Sequence, residues 1–111
     1  MVTGIRISIP TVKHKHVEVM EWFTVTLQCD LPTDYPAWFK TPTLLSDGKE
    51  ALLNQTIHQG RLLWANNKRD LVLTDARPED KGHYLCVHNR QIGERLNLKV
   101  IGKYRFRLLL K

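Results

Sequence analysis

Cys86 and His88 stand two residues apart, a spacing at which an imidazole could draw the proton from a thiol and leave a thiolate nucleophile. Against that chemistry, Cys86 belongs to an alternating Tyr84-x-Cys86 run whose members would face a core, and a thiol buried among apolar groups is inert. His14 and His16 repeat the i, i+2 spacing and could offer two imidazoles to a metal ion, but no third ligand stands nearby in sequence, so a solvated surface pair is expected. Serine occurs only as Ser8 and Ser46, neither in a nucleophile-elbow pattern. A glycine-rich phosphate loop, a CxxC pair and a dense carboxylate cluster for calcium are all missing from the sequence. The expectation is a protein that is not an enzyme and that needs neither a metal nor a cofactor.

The richest stretch is Asp75 to Cys86, DARPEDKGHYLC. It leaves an apolar strand, passes through a polar corner containing Pro78, and enters a second strand in which Tyr84 and Cys86 share a face. A tyrosine two residues before a core cysteine can bury its ring while its hydroxyl bonds back to the corner's backbone, which is a tyrosine corner. Gly82 supplies backbone freedom to the turn, and Asp80 offers a carboxylate that a distant arginine could clamp through two hydrogen bonds. Upstream, Cys29 ends the alternating run Phe23, Val25, Leu27, Cys29, and Trp38 opens another short apolar stretch.

The pattern Asp80-x-Gly82-x-Tyr84-x-Cys86, preceded by Cys29 and Trp38, resembles the signature of an immunoglobulin-superfamily domain of the intermediate or variable type. The resemblance runs from about Ile5 to Ile101. It implies an all-β fold, a two-sheet Greek-key sandwich with one inter-sheet disulfide, Cys29 to Cys86, packed on Trp38. Closing that ring of roughly 58 residues would remove about 4 kcal/mol of unfolded-chain freedom. It also implies that Arg61 pairs with Asp80, as the corresponding guanidinium does in variable-type relatives. Strand G has no Gly-x-Gly, a departure from that type, so antibody-like pairing of two such domains is not implied.

A chain of 111 residues makes one domain with a single core. Residues 1–102 form the domain on this reading, and residues 103–111 are a basic and apolar tail or the start of a linker. Ile5, Ile7 and Ile9 before Pro10 read as strand A, with Lys13 to His16 a basic link; Phe23 to Cys29 is strand B with its odd-numbered members inward. Strand C opens at Ala37, Thr41 to Ala51 leads to a short C′ strand near Leu52 and Leu53, and Gly60 and Arg61 start strand D with Leu62 and Trp64 inward. Leu71 and Leu73 lie on strand E and His83 to His88 on strand F. Asn89 to Glu94 is a hairpin with Gly93 at its sharp point, and Arg95 to Ile101 is strand G.

The net charge of +6 invites a polyanion partner, yet Lys103, Arg105, Arg107 and Lys111 all lie beyond the last core strand, and without them the sandwich carries only +2. No nucleic acid is expected, because exposed aromatics do not alternate with basic residues along a strand. The first 22 residues are charged and hold neither a signal peptide nor a membrane span, so any membrane attachment would come from parts of a longer protein. Two cysteines suit one disulfide in an oxidising compartment, while two buried thiols in a cytosolic domain remain the alternative. Asn54-Gln55-Thr56 is an acceptor triplet for N-glycosylation.

The function expected of this resemblance is protein–protein recognition by a cell-surface or secreted protein, in adhesion or receptor–ligand binding, with a second copy of the chain among the admissible partners. The alternative is a cytoplasmic structural domain of a modular, muscle-type protein. Strand alternation sets Phe39, Leu85 and Val87 on the outward face of the G, F and C strands beside Arg95, Asn97 and Lys99, an apolar patch with a basic rim.

Overall fold

Apolar residues spaced two apart need a second layer to cover them, and the computed structural model, which describes residues 13–48 and 52–102, shows two such layers. One sheet contains β1 (His14–Met20), β9 (Arg95–Ile101), β7 (Gly82–His88), β3 (Ala37–Lys40) and β4 (Thr43–Ser46), in that order, with the short β8 (Gln91–Ile92) also paired to β7. The other contains β2 (Val25–Leu27), β6 (Asp70–Leu73) and β5 (Leu62–Ala65). The chain crosses between the sheets after β1, β2, β4 and β6, and the β6 to β7 crossing passes through a 3-10 turn at Pro78–Asp80. Among the described residues no helix is long and apolar enough to cross a membrane.

The layers meet through Leu27, Leu62, Leu71 and Leu73 on one side and Trp38, Tyr84, Leu96 and Leu98 on the other, all buried. Cys29 and Cys86 are joined by a disulfide across the layers. Trp38 is the cross-strand partner of Cys86, which sets its indole beside the bridge, and its buried Nε1 donates to the Arg69 carbonyl at 2.8 Å. Reduction is therefore expected to add two hydrogens to the intact mass of oxidatively folded material. An unchanged mass would mean two free thiols.

Several boundaries differ from the sequence expectation. Ile5, Ile7 and Ile9 lie outside the described residues. The stretch from His14 to His16 is no link: it forms the start of β1, which pairs in parallel with β9 from His14–Arg95 to Met20–Ile101. Phe23 is not inward but 59% exposed. Trp22 adopts φ +77 in the turn after β1, Phe23 N–H bonds back to the Met20 carbonyl, and the regular strand begins only at Val25.

The C′ strand falls at Thr43–Ser46 rather than near Leu52 and Leu53. Between the Phe39–Leu44 and Trp38–Ser46 pairs β4 carries one residue more than β3, a bulge that turns Leu45 and its neighbour Ser46 both inward. The sharp point of the F to G hairpin is Asn89–Arg90, both with positive φ as a two-residue turn requires. Gly93 has a different task. A Cβ there would lie 2.6 Å from the Cys86 sulfur and 2.7 Å from Asp30 Oδ1, so the glycine admits a close approach of backbone to disulfide.

Candidate functional site

The corner between β6 and β7 is built around Asp80, which is fully buried. Its two carboxylate oxygens accept Arg61 Nη1 at 2.7 Å and Nη2 at 2.8 Å, and Oδ2 also accepts the Arg77 backbone N–H at 2.8 Å. Arg61 Nη1 further donates to the carbonyls of Thr74 and Asp75, so one guanidinium ties β5 to the corner. Burial alone would push the Asp80 carboxyl up; the hydrogen bonds from Arg61 and Arg77, together with the Arg61 charge, outweigh it and hold the group below its ordinary value.

Tyr84, also fully buried, donates its hydroxyl proton to the Asp80 carbonyl at 2.6 Å, completing the tyrosine corner. Gly82 sits at φ +151 with the Lys40 stem across it; Lys40 Nζ donates to the Glu79 carbonyl. Hydrogen bonds thus join Arg61, Asp80 and Tyr84 at this corner, and Tyr84 shares its buried cluster with Trp38 and the bridged Cys29 and Cys86.

His58 is a member of this cluster that no sequence pattern announces. With the tyrosine proton directed at Asp80, the phenol oxygen is left to accept, so the 2.7 Å contact with His58 is an Nε2–H donation. That tautomer leaves Nδ1 deprotonated, buried and without a hydrogen-bond partner among the described residues. Burial lowers the His58 pKa from 6.5 to about 4, against a smaller pull upward from Asp80. The ring is delivered by the 55–61 connection, pinned where Gln55 both donates to the Leu62 carbonyl and accepts the Leu62 N–H.

The outward face of the larger sheet follows from the register. Leu44, Phe39 and Leu85 make one row across β4, β3 and β7, and Ala37, Val87 and Ile92 make a second across β3, β7 and β8. Leu44 and Ile92 are 43% and 57% exposed, while Phe39, Leu85 and Val87 are half-buried among them. Toward β9 the face turns polar: His83, Asn97 and His16 form a row, Arg95 lies opposite His14, and Lys99 lies opposite Glu18. All six residues expected on this face therefore lie on it, together with Leu44, Ile92 and three histidines that the sequence reading did not assign to it. His14 and His16 gain no third ligand here, and among the described residues no group of three candidate ligands gathers for a metal.

No family profile and no curated protein sequence matches the chain. Solved structures do. The first Ig-like domain of human CD48 antigen superposes with a TM-score of 0.67 at 19% identity, over 86% of this chain and 88% of that one. The fold is immunoglobulin-like. The immunoglobulin-like domain of the ZIG-8 IG1 homodimer is similar at a TM-score of 0.62 and 22% identity, over 81% of each chain. The CD2-binding domain of CD58 gives 0.60 and 14%, over 77% of this chain and 52% of that one. In this immunoglobulin-like frame, Asn54 lies in the connection between C′ and D. Its Nδ2 donates to the Leu44 carbonyl and its Oδ1 accepts the Thr56 N–H, an Asx turn within the acceptor triplet.

Proposed function

We propose that this domain is a non-enzymatic protein-recognition module of a cell-surface or secreted protein, binding its partner through the outward face of β9, β7, β3 and β4. The observation that carries the proposal is the contiguous Leu44–Phe39–Leu85 row with Val87 and Ile92 beside it, framed by polar residues, the composition expected of an interface centre and its rim. Two of the similar structures are a homodimer and a domain described as CD2-binding, which supports recognition of proteins as the use of this fold. The inter-sheet disulfide supports an oxidising, extracellular setting. Asn54 serves as a glycan acceptor on the same reading.

Phe39→Ser is expected to leave the unfolding midpoint nearly unchanged, because the side chain faces outward, and to weaken partner capture by more than about 1 kcal/mol if Phe39 is a central anchor. The assay is capture of cells on a surface coated with the domain, parent against variant. Equal capture would remove this face from the proposal.

A further inference from the structure

We infer that the partner of this face is a different protein, with an apolar centre ringed by carboxylates, rather than a second copy of the same chain. The inference rests on the recognition reading above and adds the chemistry of the partner. Apolar side chains occupy the β3 and β4 columns and, as Leu85 and Val87, most of the β7 column, while β9 brings the cations Arg95 and Lys99 to one side of the patch. Among the described strand residues of the face the one carboxylate is Glu18, already the cross-strand neighbour of Lys99. Asp47, past the end of β4, has an interaction of its own.

A symmetric pair must place this face on itself about a two-fold axis lying in the interface. With the axis across the strands, β9 meets β9 and the cations oppose one another. With the axis along the strands, β9 of one copy covers the β4 side of the other, and Arg95 and Lys99 are desolvated over Leu44 instead of a carboxylate. In neither arrangement does β9 meet a strand that carries a carboxylate on this face, Glu18 on the flanking β1 apart, so cationic side chains lose water with too few acids to pair them. A partner with acids at the matching rim supplies what a second copy lacks.

The domain itself provides the probe. In the variant carrying Arg95→Glu and Lys99→Glu the apolar centre is kept and the rim becomes acidic, so this charge-reversed copy imitates the partner. Sedimentation velocity at low salt should show parent and charge-reversed copy associating at least about tenfold more tightly than either associates with itself, with the advantage shrinking as salt is raised. Lys99→Glu alone, at an exposed position, should give the same sign with smaller amplitude and serves if the double variant folds poorly. Parent self-association as tight as the mixed pair, or no association of the mixed pair, overturns the inference. Phe39→Ser separates the two readings: it should abolish the mixed pair, and if mixed binding survives it, the apolar face itself is not the interface.

Discussion

Asp80→Ala is expected to cost about 3–5 kcal/mol of folding stability, because it leaves the Arg61 guanidinium buried and without its counter-charge. Arg61 would keep its bonds to the Thr74 and Asp75 carbonyls, but neither carries a full negative charge. The same change removes the acceptor for the Arg77 N–H at the start of the 3-10 turn, so the turn that feeds the tyrosine corner loses its cap as well. Arg61→Lys is expected to be destabilising too, since a single ammonium cannot span both carboxylate oxygens. Urea unfolding at neutral pH measures each cost. A loss below about 1 kcal/mol for Asp80→Ala would mean that the pair behaves as an exposed ion pair does, against its burial. Because the Asp80 pKa is depressed in the folded state, its contribution is complete above the ordinary carboxylate value of about 3.9 and disappears as pH falls through the lower folded value.

The second large effect lies at higher pH and belongs to His58. Its folded pKa of about 4 lies below the ordinary 6.5, so the unfolded chain takes up a proton that the folded domain refuses. Stability is therefore complete above pH 6.5 and declines at about 1.4 kcal/mol per pH unit below it, a loss of up to about 3 kcal/mol by pH 4. Asp80, Lys40 and Arg61 are the charges that act on the ring, and the two cations oppose its protonation. His58→Gln keeps an N–H for the Tyr84 oxygen and removes the titration. Urea midpoints from pH 7.5 to 4.5 should fall more steeply for the parent than for this variant; parallel profiles would show that His58 does not carry the acid sensitivity.

Legibility from sequence tracked how much of each strand's environment is one-sided. β9 alternates the buried Leu96 and Leu98 with the less buried Arg95, Asn97 and Lys99, and Arg95 to Ile101 could be read off with both ends correct. The corner was readable for another reason: Asp80, Gly82, Tyr84 and Cys86 each meet a demand of charge, backbone or packing that few other residue types satisfy. β1 was missed because its first three residues are solvent-exposed, so Lys13 to His16 shows no apolar alternation although the backbone is fully paired to β9. β4 was displaced because a bulge puts Leu45 and Ser46 on the same side, breaking the period of two. The outward face was partly legible: Phe39, Leu85 and Val87 follow from alternation, whereas Leu44 and Ile92 join them only through the positions of β4 and β8. His58 comes from an irregular connection and reaches Tyr84 by tertiary folding alone.

The placement of Asn54 bears on the solubility of a protein that displays an apolar sheet face. Among the described residues β4 ends the sheet, and an open end offers a row of carbonyls and N–H groups on which a foreign strand could grow. Asn54 occupies two of those carbonyls, bonding Leu44 through its side chain and Leu45 through its backbone N–H at 2.7 Å. At the opposite end, His14, Lys15, His16 and Glu18 line β1 with polar and charged groups that a growing strand would have to desolvate. Among the described residues both margins thus discourage ribbon-like polymerisation, so crowded copies would not readily grow a shared sheet through these edges.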